Sequence, residues 1–379
     1  MRVGLNAQYL QVLGMTGLLA LSSCGGKFFP EPCTTNCNTG NSGNYLYVAN
    51  SSTAASSVAG FTITTANAVN ALANSPYAIG LPPNALAVTP KNSFLYVGSL
   101  SGGIYAYTIN SDGTITIANS GSPVATGVSP IAMKVDPTGQ WLIAADLSPA
   151  AYVFSINAGT GALTTQGNAL PLDTGSTKNL YITPNGQFVF ISLGTGGIDI
   201  LTFNSTSGVI SKSQHLNPTA STNGDFGLSG DPNSKYLFVT ETGINSLRVF
   251  NINTTGSSIL TELATSPVKT GQGPSQVLVT KDGSYVYVTN RTDGTISGFT
   301  LTANGALTQI SGSPFTTGTA PVDIAEDKTH AYIAVACASG NPDMQVFKVD
   351  TTTPGKLDAF ASKTTGTDPT LASAIVGMN

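Results

Sequence analysis

The sequence predicts an all-β fold: a seven-bladed β-propeller of four-stranded antiparallel blades, closed by the C-terminal strand joining the N-terminal blade. Three observations predict it. A unit of four short apolar strands recurs every 47 to 50 residues, the size of one blade. The second strand of each unit is almost continuously apolar or aromatic, as in a sheet covered on both faces. The first and last units are incomplete in complementary ways, so that together they make one blade.

Each unit opens at a leading position, occupied in turn by Pro83, Pro130, Thr177, Gly224, Pro274, Pro321 and Pro369. The second strands begin at Tyr45, Phe94, Trp141, Phe188, Tyr236, Tyr285 and Tyr332. Phe61, Tyr107, Phe154, Leu201, Phe250, Phe299 and Phe347 mark the third strands at the same period. Glycines at 113, 161, 208, 305 and 355 mark the turn into the fourth strand, where a tight hairpin calls for positive φ. After Pro369 there is room for one strand, Thr370 to Val376, while residues 44–82 hold strands two to four with no first strand before them. Joined, the two fragments leave no sheet edge as a seam.

The chain has 379 residues, 41% hydrophobic, enough to bury a core. Only 9% are charged, and Lys+Arg 15 against Asp+Glu 19 gives a net charge of -4. That balance argues against a nucleic-acid partner, which calls for a basic face.

Residues 1–23 read as a lipoprotein signal peptide. Arg2 supplies the positive start, Val12 to Leu21 a short apolar run, and Leu21-Ser22-Ser23-Cys24 matches the bacterial lipobox. Cleavage after Ser23 and lipidation of Cys24 are expected. The chain is then exported and lipid-anchored in the cell envelope, its only membrane contact the anchor. Gly25 after the cysteine, by resemblance to known sorting patterns, favours a bacterial outer membrane. Residues 24–43, rich in Gly, Pro, Asn and Thr, read as a flexible tether, and 44–379 as the propeller. Cys33 and Cys37 form a candidate disulfide or stay free thiols; no nearby His or further Cys completes a metal site. Cys337, in an apolar strand, reads as a small buried hydrophobe.

Tyr287-Val288-Thr289-Asn290, preceded by Lys281-Asp282-Gly283, resembles the repeat of the YVTN propellers. Over 44–379 the chain resembles the bacterial lactonase-type seven-bladed propellers, which include 6-phosphogluconolactonase. The resemblance implies an Arg-His pair directly after a leading Pro and a Glu after a second strand. Glu241 matches that Glu. The pair is missing: Ser275-Gln276 follow Pro274, Val322-Asp323 follow Pro321, Asp225-Phe226 follow Gly224, and Lys178-Asn179 follow Thr177.

In a propeller, the starts of first strands and the loops after second strands meet at the channel mouth. Projected on the repeat, they gather Lys178, Asp225, Gln276 and Asp323, with Asp146, Glu241, Asn290, Arg291, Asp293 and Asp343. Such a mouth suits a carboxylated or sugar-like small molecule, with Lys178 and Arg291 meeting anionic groups. A protein ligand there is the other expected partner, and a monomer is expected. The plainer reading makes these residues turn formers, since Asp, Asn and Gly are what tight turns select.

No cofactor and no metal are expected. His215 and His330 are the only histidines, and neither has the partner spacing of a metal or haem site. Glu326 replaces the apolar residue found as Val88, Val135, Ile182 and Val279, so it must be paired, protonated or displaced toward solvent. The expected function is a ligand- or protein-binding scaffold without the family's pair. The alternative is a lactone hydrolase using Glu241, with Lys178 or Arg291 polarising the carbonyl. A structural or adhesive surface protein is the second alternative.

Overall fold

A computed structural model describes residues 43–51, 56–64, 66–338, 342–366 and 375–377. Cys24, Cys33, Cys37 and the leader lie outside the described residues, as do Pro369 and Thr370. Seven antiparallel sheets form the blades, numbered I to VII from the chain's start. Blade I takes Tyr45–Asn50, Ser57–Ile63 and Val69–Ala71 from the N-terminal side and Ile375–Gly377 from the other end. The tail strand pairs Leu46 with Gly377 and Val48 with Ile375, which closes the ring.

All seven second strands start at the predicted aromatic: Tyr45–Asn50, Phe94–Ser99, Trp141–Asp146, Phe188–Ser192, Tyr236–Glu241, Tyr285–Asn290 and Tyr332–Cys337. First strands start at the predicted prolines in blades II, III, VI and VII. Where Thr177 and Gly224 replace proline, the ladder begins later, as Asn179–Ile182 and Asp225–Gly230.

Among the described residues, the buried apolar side chains fall into seven clusters, each packed between two neighbouring blades. The cluster holding Leu46 and Val48 with Tyr332 and Val346 joins blade I to blade VII. Around it, Asn44 Nδ2 donates to Asp327 Oδ2 (2.7 Å) and the Tyr332 hydroxyl meets Asn67 Oδ1 (2.6 Å).

The aromatic repeat has a specific partner in the next blade. The Tyr96 hydroxyl in blade II donates to the Gly161 carbonyl in blade III (3.0 Å), and Tyr47 and Tyr287 donate likewise to Gly113 and Gly355 (2.7 Å each). Gly161 has φ 71°, and a Cβ there would lie 2.7 Å from the Phe94 ring. Gly208 stands in the same relation to Trp141. Glycine is therefore selected twice, by the turn and by the ring that lies on it.

A second repeat closes the turn between first and second strands. Thr89, Asp136, Thr183, Asp231, Thr280 and Asp327 each accept backbone N–H groups from the start of the next strand. Asp136, fully buried, receives Gln140 N (2.9 Å) and Trp141 N (2.8 Å) on one oxygen and Thr138 N (3.0 Å) on the other.

The outer strands depart from a simple four-strand count. In five blades the fourth strand is broken, and a further two-residue strand, such as Tyr77–Ala78 or Phe315–Thr316, pairs again with the third. At the break, the hydroxyls of Ser75, Ser266 and Ser313 accept N–H groups of the third strand (2.9–3.0 Å). Only Val209–Leu216 in blade IV and Leu357–Lys363 in blade VII run unbroken among the described residues.

Candidate functional site

The starts of first strands and the ends of second strands lie side by side, as in the pairs Pro274 with Asn290, Pro130 with Asp146 and Pro321 with Cys337. Directly after the leading residue the register slips in blades II, III, VI and VII, and one residue later, after Asp225, in blade V. Such bulges re-aim a side chain. The residues inside the slips include Asn84, Ile131, Phe226, Ser275 and Val322, and all five line one cavity at the channel mouth.

That cavity measures about 160 Å³ and is completed by Leu147, Ser176, Thr177, Lys178 and Arg291. Two cations thus share one small hollow. Lys178 Nζ bonds to Ser176 Oγ (3.1 Å) and stands 5.7 Å from the centre of the Phe226 ring. Asn84 Oδ1 and Thr177 Oγ1 are buried without a hydrogen-bond partner in the protein. Orphaned polar atoms beside two cations are what a site for a polar, anionic molecule requires.

Gln276 and Asp323 line a different cavity of about 400 Å³ along the channel. Asn179 Nδ2 donates to Gln276 Oε1 (2.5 Å), linking blades IV and VI across the axis. Lys134, Lys281 and Glu326 border the same cavity. Glu326 is buried and paired: it accepts Lys281 N–H (2.8 Å), and His330 Nδ1 stands 3.0 Å from its other oxygen. Burial raises the Glu326 carboxyl above its ordinary range and lowers the Lys281 amine.

Three further acids predicted for the mouth are occupied as staples of loop backbone. Asp146 accepts Ser129 N–H (3.2 Å), Asp293 accepts Gln272 N–H (2.7 Å) and Asp343 accepts Thr365 N–H (2.8 Å). Burial pushes the Asp146 carboxyl up. The Asn290 amide holds Thr295 and Ser297 (2.9 Å each).

Asp225 and Glu241 are fully buried together in blade V, and neither lines the mouth cavity. One Glu241 oxygen takes both the N–H (2.7 Å) and the hydroxyl (2.5 Å) of Thr219. Its other oxygen and both oxygens of Asp225 have no hydrogen bond. Arg248 stands 4.0 Å from Asp225 and 3.9 Å from Glu241, but bonds to Glu262 (2.9 Å). Desolvation, with the Glu241 charge added, pushes the Asp225 carboxyl up to about 7 against the pull of Arg248.

The histidines gain partners that local spacing hid. His215 Nδ1 lies 2.8 Å from Asp199 Oδ1 and 3.0 Å from Asp173 Oδ2, and the three residues could together hold a metal ion. The sequence expectation that His215 lacks a metal-type partner set is corrected. Asp199 faces it from the adjacent strand and Asp173 from the connection out of blade III, so no short motif links them.

A closed ring of seven antiparallel sheets, each with four strands in meander order, defines a seven-bladed β-propeller. The family model "Lactonase, 7-bladed beta-propeller" matches residues 46–373, and the chain belongs to that family. Solved structures agree on the fold. A protein from Lactobacillus plantarum is 22% identical with a TM-score of 0.72, over 89% of this chain and 99% of its own. A Bacteroides uniformis protein assigned provisionally as a 6-phosphogluconolactonase is 17% identical with a TM-score of 0.73, over 88% and 99%. The periplasmic gluconolactonase of Pseudomonas aeruginosa is 16% identical with a TM-score of 0.71, over 89% and 99%. No curated protein matches the chain.

Proposed function

We propose that this lactonase-family propeller is an exported, envelope-anchored protein that binds a small anionic, carboxylated or sugar-acid molecule at its channel mouth and does not hydrolyse it. The observation that carries this reading is the division of labour at the mouth. Lys178 and Arg291 share the cavity with the unpartnered oxygens Asn84 Oδ1 and Thr177 Oγ1, while Glu241 is sealed beneath Thr219 and absent from it. Ser275 occupies the position directly after the leading proline where the family's Arg-His pair would begin, so the cavity has a binding set without that pair. Export rests on the lipobox at Cys24 and on the periplasmic location in the name of the Pseudomonas aeruginosa relative.

Calorimetry with gluconate and 6-phosphogluconate tests the binding, and incubation with the corresponding lactones tests turnover. Binding weakened about tenfold by Lys178→Ala or Arg291→Ala, with lactone loss at the blank rate, is the expected outcome. Turnover above the blank that Glu241→Gln abolishes would establish lactone hydrolysis instead.

A further inference from the structure

Outside the channel, the outer edge of blade IV carries a second cluster of charged side chains. Asp199 is on the third strand and fully buried; His215 and Lys212 are on the fourth; Asp173 is on the incoming connection. Both carboxylates converge on one imidazole nitrogen, at 2.8 and 3.0 Å. The second Asp199 oxygen accepts the Asp173 N–H (2.7 Å), which fixes the two acids relative to each other. Gly197 (φ 84°) lets the imidazole lie against the chain: a Cβ there would stand 3.2 Å from His215 Nε2 and 2.2 Å from the Leu216 carbonyl. An open hollow bounded by Asp173, Gly175, Gly196, His215 and Asn217 reaches the cluster from solvent.

We propose that Asp173, Asp199 and His215 form a zinc-type divalent cation site on the rim of blade IV, with Lys212 as its built-in competitor. Zinc bound tetrahedrally at about 2.0–2.1 Å separates its ligand atoms by about 3.3 Å; the two nitrogen–oxygen distances, 2.8 and 3.0 Å, would have to open by roughly half an ångström at most, and all three ligand atoms already lie within 4.8 Å of one another. One imidazole and two carboxylates supply three ligands, and water from the hollow supplies the fourth. The ammonium of Lys212 already stands where positive charge is favoured, 2.6 Å from Asp173 Oδ1 and 3.4 Å from Asp199 Oδ2. Its side chain is about one-third exposed (31%), so it can leave the acids for solvent when a dication replaces it. Without the ion, Nδ1 carries the hydrogen given to the carboxylates. Coordination requires the neutral imidazole with its hydrogen on Nε2.

The test is zinc titration of the purified, EDTA-treated chain by calorimetry, with the melting temperature read in parallel. One zinc per chain at this site, a higher melting temperature, affinity reduced about tenfold or more in His215→Ala and increased about threefold or more in Lys212→Met are expected. The gain in Lys212→Met cannot come from misfolding, so it decides the matter if His215→Ala does not fold. Absence of zinc binding, zinc uptake unchanged in a folded His215→Ala, or affinity unchanged or weaker in Lys212→Met would each overturn the assignment.

Discussion

Tyr96 and Gly161 show what a single residue contributes to the joint between two blades. Tyr96→Phe leaves the Gly161 carbonyl without its hydroxyl partner and should cost about 1–2 kcal/mol in urea unfolding. Gly161→Ala meets both positive φ and the Phe94 ring, and should cost about 2–4 kcal/mol by the same measurement. Asp225 belongs at this scale through its proton. Its folded pKa, about 7, lies above the ordinary aspartate value of 3.8 that the unfolded chain restores, so between those values the folded state holds more protons than the unfolded one. Stability must therefore fall as pH rises through this window and level off above it. Asp225→Asn should remove that slope, with urea midpoints at pH 5 and pH 8 closer together than in the parent. The variant should gain on the order of a few kcal/mol at pH 8. Sequence reading found the residue types here but not their surroundings. Glu241 and Asp225 sit at predicted mouth positions, yet whether such a carboxylate faces the cavity or lies sealed beside Arg248 depends on distant strands and loops. Glu326 was legible as an anomaly because four repeats gave it a reference; its partners Lys281 and His330 became visible only in three dimensions.

Among elements, the turn between first and second strands makes the sharpest prediction. Asp in blades III, V and VII and Thr in blades II, IV and VI hold equivalent N–H groups. Asp136→Thr should therefore stay within about 1 kcal/mol of the parent, while Asp136→Ala, taking the carboxylate from three N–H groups, should lose about 2–4 kcal/mol by urea unfolding. The second strands were readable to the residue because aromatic spacing repeats without interruption. First strands were readable only where proline leads. The bulges after it, which carry Asn84, Phe226 and Ser275 into the mouth, leave no mark in composition, because a register slip is decided by pairing. The breaks in five outer strands were missed for the same reason. Their consequence is protective: a short, interrupted rim is a poor template for another chain's strand. The two unbroken rims place charges along their length, among them Lys212 and Asp358.

For the whole molecule, closure is the controlling feature, and it was legible from arithmetic on the repeat: the strand missing at one end is supplied at the other. Each blade buries its faces only against neighbours, so a ring has no terminal blade with an uncovered face. A chain ending at Gly366 should lose the Ile375–Gly377 pairing and the packing of Gly377 against Glu326. Its urea midpoint should drop by the equivalent of on the order of 3–5 kcal/mol while far-UV dichroism remains that of a β protein. The position of Gly377 opposite Leu46 has another consequence, for engineering. Because the two ends finish as adjacent strands, a short Gly-Ser linker could splice them, and new ends could be opened in an outer hairpin of any other blade. Such a circular permutant would keep every sheet while moving the one discontinuous blade around the ring, so the order of synthesis and the geometry of the fold could be varied independently.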